Sequence, residues 1–324
     1  MDKNKIAVLG AGTMGPGIAT IYAMHGFQTA VYSRTQATLQ RAQEVIESNL
    51  ALFVEEGILT SADAGIAQNN LSFTDSVEEA VSGAWYVAET IVEKPEPKKE
   101  LYRQLDALLP RDTIIASNTS YMNIFELMPP SRLPYTVISH FYAPAHILPL
   151  VEVVKGPETL SSVMDEVMTL HTDCGKQPVR MEKFIPGFIV NRMQSAMTRE
   201  VLHLIENGYC TAEELDLAVK TSLMPRGLLL GLVQRFDFNG IDMVAHSMTN
   251  RTYEPAPAIT RPETIFSLFD RGEFGAKSGK GFYDYSDESY SDILRKRDKQ
   301  LLKSVNLAEE FIKTPLGHPR VKQK

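Results

Sequence analysis

Short apolar runs alternate with longer amphipathic stretches over about the first 180 residues of the chain. Short runs that are rich in β-branched residues and bounded by turn residues are typical of buried strands. Six runs of this kind are predicted as strands: Ile6–Leu9, Thr29–Tyr32, Trp85–Ala88, Thr113–Ala116, Thr136–Ser139 and Leu150–Val154. Four stretches with helical periodicity accompany them: Met14–His25, Thr35–Val54, Pro97–Leu109 and Leu160–His171. Strands that alternate with helices predict parallel βαβ units and therefore an α/β fold with a doubly wound sheet.

The pattern changes after Pro186-Gly187, where helical periodicity continues but few strand-like runs remain. Phe188–Asn207, Ala212–Ser222 and Asp292–Phe311 are predicted as helices. The chain is therefore expected to form two domains. Residues 1–184 would carry the doubly wound sheet, and residues 185–324 would form a C-terminal all-α domain.

The composition is that of an ordinary globular protein. The 324 residues are 44% hydrophobic and 23% charged, which excludes a disordered or collagen-like chain. A formal net charge of −7 argues against a surface that neutralises nucleic-acid phosphates. The two cysteines, Cys174 and Cys210, provide neither a disulfide framework nor the spacing of a zinc site. The sequence has no signal-peptide core and no apolar stretch of roughly 18 residues, so we expect a cytoplasmic protein without a membrane partner.

A glycine-rich segment, Gly10-Ala-Gly12-Thr13-Met14-Gly15, stands between the first predicted strand and the first predicted helix. In a βαβ unit, Gly10 permits the tight turn, Gly12 lets the backbone approach a pyrophosphate, and Gly15 lets the helix pack on the strand. The amides at the start of the helix then face the anion. The segment, including Thr13 and Met14, therefore indicates a dinucleotide-binding turn. The alternative is a glycine-rich turn that binds no ligand.

The second predicted strand ends in Tyr32-Ser33-Arg34 and is not followed by an acidic residue. NAD-binding folds usually place a carboxylate here, where it accepts hydrogen bonds from ribose hydroxyls. The hydroxyl of Ser33 and the guanidinium of Arg34 suit a 2′-phosphate instead, because arginine binds phosphate through two parallel hydrogen bonds. The sequence therefore favours NADP over NAD. If Arg34 points into solvent, either cofactor would bind.

His140 ends an apolar run at the expected carboxyl edge of the sheet, where doubly wound folds bind ligands. Glu152 lies inside the apolar run Leu150–Val154, and a buried carboxylate is costly unless it has a partner. His140 is the natural candidate, because a carboxylate on one ring nitrogen raises the basicity of the other. The alternative is an edge strand on which Glu152 faces water.

Seven segments occur in an order that resembles the 3-hydroxyacyl-CoA dehydrogenase family over nearly the whole chain. They are Gly10–Gly17, Glu89–Glu93, Ser117–Ser120, His140–Pro144, Leu150–Glu152, Pro186–Arg192 and Gly275–Tyr285. The resemblance implies a Rossmann-type domain that binds NAD or NADP. It also implies a helical domain that contributes to substrate binding and usually forms a homodimer.

The same resemblance implies roles for individual side chains. His140 would be the general base and Glu152 its orienting carboxylate, while Ser120 and Asn191 would hydrogen-bond the reacting oxygen. Oxidation of a secondary alcohol needs a base for the hydroxyl proton and donors for an oxygen whose charge changes. Alternatively, Ser120 is a turn hydroxyl and Asn191 a residue at a helix start. Three further residues are expected to bind the cofactor: Glu93 and Lys98, near the nicotinamide end, and Asn118.

Several departures from the family pattern concern the substrate. Ala143 stands where the family usually has an asparagine, and Tyr121 is bulkier than the small hydroxyl residue usual at its position. In the helix that helps the family hold CoA, the positions that match a contacting serine and lysine are Asn49 and Glu56. The acidic pair Glu55-Glu56 would repel the phosphates of CoA unless another basic group compensates.

Three hypotheses follow. The leading one is an NAD(P)-dependent dehydrogenase of a 3-hydroxyacyl-CoA or a related 3-hydroxy acid. The nearest alternative is a dehydrogenase whose substrate is a free hydroxy acid rather than a CoA thioester, as in the family's gulonate, carnitine and pyridoxine-breakdown enzymes. The third is a non-catalytic, crystallin-like cofactor-binding protein; such a protein could lose the dyad, but His140 and Glu152 are both present here.

Overall fold

A computed structural model describes residues 3–250 and 253–318. The chain divides into two compact units at the junction of Arg192 and Met193. The domain boundary expected between residues 184 and 185 precedes this junction, which lies inside the helix Val190–Glu206. In the described residues no helix is both long and apolar enough to cross a membrane.

The first unit is built on a sheet of eight described strands in the order β3-β2-β1-β4-β5-β6-β7-β8. The strands are β1 Lys5–Leu9, β2 Gln28–Tyr32, β3 Leu71–Thr74, β4 Tyr86–Glu89, β5 Ile114–Ser117, β6 Thr136–Phe141, β7 Leu150–Lys155 and β8 Gln177–Met181. All neighbours are parallel except β6 and β7, which are antiparallel. The predicted doubly wound α/β sheet is confirmed, although β3 and β8 were not among the six strands predicted.

Six helices of this unit pack on the sheet or connect its strands. They are α1 Gly15–Met24, α2 Gln36–Glu55, α3 Ser61–Asn69, α4 Val77–Val81, α5 Pro95–Leu108 and α6 Ser161–Asp173. Local sequence defines their starts: the Thr35 side chain accepts the Thr38 amide before α2, and Thr60 and Asp63 form a capping box before α3. Short 3-10 turns, Ile124–Glu126 and Pro130–Tyr135, lead into β6.

Both faces of the sheet are buried. Ile6 and Val8 of β1 belong to one apolar cluster, while the alternating residues Ala7 and Leu9 belong to a second. Burial on both faces explains why the sequences of the central strands are continuously apolar and do not alternate between apolar and polar residues. The strand order reverses between β1 and β4, and a crevice at such a switch point is where doubly wound folds bind ligands.

The second unit is helical, as predicted. After α7, Val190–Glu206, its helices are α8 Ala212–Ala218, α9 Met224–Leu230, α10 Gln234–Asn239, α11 Ile241–Thr249, α12 Glu263–Asp270 and α13 Tyr290–Lys313, with a π turn at Val219–Leu223. Its described residues include few buried side chains: Leu202, Ala256, Asp298 and Leu302. Large apolar side chains are instead exposed, among them Val233 at 78% and Phe238 at 61%. A surface of this kind is typical of an interface with another chain.

Candidate active site

The glycine turn lies between β1 and α1. Gly10 has a φ of +119°, and a Cβ atom there would lie 2.7 Å from the backbone of Thr90. A Cβ atom on Gly15 would lie 1.8 Å from the carbonyl oxygen of Gly10, so a side chain at either position would clash with backbone. Gly12 has no atom within 4 Å of the position that its Cβ would take, so its backbone is open to a ligand.

A cavity of about 700 Å³ opens beside this turn. Nine predicted site residues line it: Gly10, Gly12, Thr13, Met14, Ser33, Arg34, Glu93, Asn118 and Ser120. Sequence reasoning missed other lining residues, including Thr35, Thr38, Thr90, Glu100 and Gln104. The helix α1 begins at Gly15 next to this cavity, so its unpaired first-turn amides are available to an anion. An open glycine turn, a helix start and an exposed arginine together fit a dinucleotide.

Glu93 connects the cavity wall to the segment that carries Ser120. Its Oε1 accepts the backbone amides of Ser120 at 3.0 Å and Tyr121 at 3.3 Å, and the hydroxyl of Thr119 also donates to it. Partial burial alone would raise the pKa of Glu93, but these hydrogen bonds and the charge of Lys98 outweigh burial and lower it. Glu93 is therefore held ionised, and it orders the backbone on either side of Ser120.

Lys98 does not line the cavity. Its side chain is 1% exposed, and its Nζ lies 2.6 and 2.8 Å from the two carboxylate oxygens of Glu89 and 3.5 Å from Glu93. Glu89 is 0% exposed and also accepts hydrogen bonds from Tyr102 and Ser117. The predicted cofactor residue is therefore one half of a buried ion pair behind the cavity wall, a network that sequence reasoning missed.

His140 and Glu152 face each other across β6 and β7. The antiparallel register pairs the two residues directly, and Nδ1 of His140 lies 2.9 Å from Oε2 of Glu152. The other oxygen, Oε1, accepts the amides of Ile189 at 2.9 Å and Val190 at 3.1 Å. Burial favours a raised pKa for Glu152, but the hydrogen bonds from His140 and the other donors lower it. The pair is therefore an ionised carboxylate that orients an imidazole.

Phe188 shapes the segment that supplies those two amides. Its φ is +50°, the one described non-glycine residue in the left-handed region, and its side chain is 1% exposed. Its ring packs against the imidazole of His140 with centroids 5.1 Å apart. A bulky residue in this conformation is strained, and such strain persists only where the surrounding contacts enforce it.

Asn118 links the pair to the cavity. Its Oδ1 accepts the backbone amide of Phe141, the residue after His140, at 2.8 Å, and Asn118 itself lines the cavity. Asn191 follows the amides that bind Glu152 and lies in the first turn of α7. The structure thus brings His140, Glu152 and Asn191 to one end of β6 and β7, and Asn118 and Ser120 to the adjoining cavity wall.

Tyr142 is a site residue that the sequence analysis did not single out. Its hydroxyl donates to Oε2 of Glu152 at 2.8 Å. Tyr142 lies just after β6 and two residues beyond His140, so extending the strand alternation by one residue would have placed both side chains on one face.

Comparisons with known proteins agree with this geometry. A family model described as "3-hydroxyacyl-CoA dehydrogenase, NAD binding domain" matches residues 5–184, and one described as "3-hydroxyacyl-CoA dehydrogenase, C-terminal domain" matches residues 187–285. The chain is 31% identical over 299 residues to 5-formyl-3-hydroxy-2-methylpyridine 4-carboxylate 5-dehydrogenase of Mesorhizobium japonicum, covering 92% of this chain and 96% of that protein. It is 32% identical to a probable 3-hydroxybutyryl-CoA dehydrogenase of Bacillus subtilis, covering 89% and 100%.

A solved structure extends the likeness to three dimensions. The crystal structure of a 5-formyl-3-hydroxy-2-methylpyridine 4-carboxylic acid 5-dehydrogenase, described as an NAD⁺-dependent dismutase, superposes with a TM-score of 0.84 at 30% identity. The superposition covers 94% of this chain and 98% of that one. With both domain models matched over most of its length, the chain belongs to the 3-hydroxyacyl-CoA dehydrogenase family.

Proposed function

We propose that the chain catalyses reversible hydride transfer between NAD(P) and a carbon that carries a hydroxyl or oxo group. The observation that carries this proposal is the His140–Glu152 pair near the carboxyl end of β6, next to the Asn118 wall of the dinucleotide cavity. When bound, the nicotinamide ring supplies the hydride acceptor or donor. A non-catalytic cofactor-binding protein would have no need for a buried, fully hydrogen-bonded dyad.

His140 accepts and returns the hydroxyl proton of the substrate. Because Nδ1–H donates to Glu152, the neutral ring carries its lone pair on Nε2, which accepts the hydroxyl proton in oxidation and returns it in reduction. Ser120 and Asn191 supply donors to the oxygen whose charge changes between alcohol and carbonyl. Glu93 supports this step by holding the backbone of Ser120.

Two substrate classes follow from the family, and the side chains of Asn49 in α2 and Glu56 just after it favour the one without CoA. Asn49, which matches a CoA-contacting serine, is buried and donates to the Thr20 hydroxyl at 3.3 Å. Glu56, which matches a CoA-contacting lysine, is an exposed carboxylate. Neither side chain offers an attraction for CoA phosphates. The likeness to a dehydrogenase named for a pyridine carboxylate supports a free hydroxy acid as substrate, with a 3-hydroxyacyl-CoA as the second candidate.

A substrate panel tests this proposal. We expect oxidation of free hydroxy acids to proceed with a kcat/KM at least about tenfold above that for acetoacetyl-CoA reduction, because a free acid needs no CoA subsite. Initial rates with each substrate, measured with NAD(H) and with NADP(H), provide the comparison. Turnover of the CoA thioester alone would establish the second candidate. Inactivity across a broad panel would favour the non-catalytic alternative.

NADP is the proposed preferred cofactor. Ser33 and Arg34 line the cavity at the end of β2, and Arg34 is exposed there and available to a 2′-phosphate. We expect Arg34→Ala to lower kcat/KM for NADP about tenfold while changing that for NAD little, since a charge-assisted hydrogen bond is lost. The control is Arg111→Ala, which removes an exposed arginine outside the cavity. A wild-type enzyme with the higher kcat/KM for NAD would contradict the preference.

A homodimer is the proposed assembly. The exposed apolar side chains of the second unit, with Val233 and Phe238 among the most exposed, support a second copy of this chain as the partner.

A further inference from the structure

We propose that Tyr142 is a positioning residue of the dyad: it holds Glu152 and limits the basicity of His140. This inference rests on the proposed function, in which His140 is the general base. Tyr142 does not need to touch the substrate for this role, because it acts through the carboxylate and the imidazole.

Hydrogen bonding at Glu152 provides the first support. Oε2 accepts from Nδ1 of His140 at 2.9 Å and from the Tyr142 hydroxyl at 2.8 Å, while Oε1 accepts the amides of Ile189 and Val190. The carboxylate therefore has four donors, two on each oxygen. Among the described residues, Tyr142 is the one side chain that shares a Glu152 oxygen with the imidazole.

Ring packing provides the second support. The Tyr142 ring meets the His140 ring edge to face, with centroids 4.6 Å apart and an interplanar angle of 69°. The Phe188 ring contacts the same imidazole at 5.1 Å. Two aromatic contacts, together with the Nδ1 hydrogen bond, restrict rotation of the imidazole and so fix the direction of its Nε2 lone pair.

The Tyr142 hydroxyl also reaches the start of α7. The hydroxyl donates to Glu152, and the backbone of Asn191 favours the ionised form of the phenol slightly. Burial, followed by the hydrogen bond and charge of Glu152, raises the pKa of Tyr142. The phenol therefore stays protonated and remains a donor. Through Glu152, Tyr142 is thus connected to the amides of Ile189 and Val190, which precede Asn191, one of the proposed oxygen donors.

The sign of the electrostatic effect follows from the shared oxygen. A donor on Oε2 withdraws charge from the carboxylate, which then stabilises the imidazolium less. Other neighbours leave this sign unchanged: β8 places apolar Val179 opposite Glu152, the start of α7 contributes uncharged backbone amides, and Tyr121 interacts with Tyr142 rather than with the carboxylate. Loss of the Tyr142 hydroxyl should therefore make protonation of His140 easier.

Tyr142→Phe tests the proposal, because it removes the hydroxyl and keeps the ring. For alcohol oxidation we expect the acid limb of the kcat/KM profile to move up by about half to one pH unit, and kcat on the plateau to fall about three- to tenfold with KM nearly unchanged. The control is Tyr209→Phe, an exposed tyrosine of the second unit, which should match the wild type. A lower kcat with an unmoved acid limb would mean a merely structural role and would overturn the proposal.

A second measurement separates this inference from the proposed function. Nitrogen-15 NMR of labelled histidine follows protonation of the His140 ring without substrate or turnover. We expect its titration midpoint to rise in Tyr142→Phe by the same pH interval. An unchanged midpoint would overturn the role of Tyr142 even in an active enzyme. A raised midpoint in a protein that fails every turnover assay would uphold the structural coupling while contradicting the proposed function.

Discussion

His140→Ala is expected to lower kcat by about 10²- to 10⁴-fold, the usual contribution of a positioned acid–base group. Binding of NAD(P) should stay close to that of the wild type, because the residues that line the dinucleotide cavity do not include His140. Steady-state rates and a fluorescence titration of the cofactor measure the two effects separately. The matched control is His246→Ala, an exposed histidine of α11.

Two results would contradict this prediction. Retained kcat in His140→Ala would remove the imidazole from the mechanism. A parallel loss of cofactor binding would mean that the substitution disturbs the fold around β6 rather than the proton transfer itself.

Lys98→Ala is expected to destabilise the first unit by about 3 to 5 kcal/mol, because it leaves the buried carboxylate of Glu89 without its counter-ion. The midpoint of urea unfolding, followed by the fluorescence of Trp85 in this unit, provides the measurement. Lys99→Ala is the adjacent control, since Lys99 pairs with Glu96 on the surface and surface pairs contribute little.

A double variant separates charge from packing at this site. Lys98→Met with Glu89→Gln removes both charges and keeps comparable volume, so it should recover much of the lost stability. An unfolding midpoint for Lys98→Ala equal to that of the control would refute the assignment of a buried ion pair. It would also return Lys98 to the role near the cofactor that the sequence suggested.

The fold was predictable wherever strands are buried on both faces. Most of β1, β4 and β5 is a continuous apolar run, which is the pattern that predicts a buried strand. The two missed strands lie at the sheet edges: β3 is partly exposed, and β8 contains Pro178 and Arg180, each preceded by an exposed residue. Edge strands tolerate proline and charge, so their sequences resemble loops.

Some features of the candidate site could also be predicted from the sequence, and others could not. His140 and Glu152 could be paired because His140 ends one apolar run and Glu152 lies inside another, and the two strands are neighbours in the sheet. The burial of Lys98 could not be anticipated, because its partner Glu89 belongs to another element. The amides of Ile189 and Val190 depend on the left-handed backbone of Phe188, which only tertiary packing enforces.

The antiparallel pairing of β6 with β7 separates the geometry of the His140–Glu152 pair from the sequence of the nearby loops. His140 and Glu152 are paired in register across β6 and β7, so their separation does not depend on loop conformation. Ala143 lies just beyond β6 and is exposed, and Tyr121 is exposed in the segment after β5. Substitutions in these loops can therefore change which substrate fits while the geometry of the proposed proton-transfer pair stays the same.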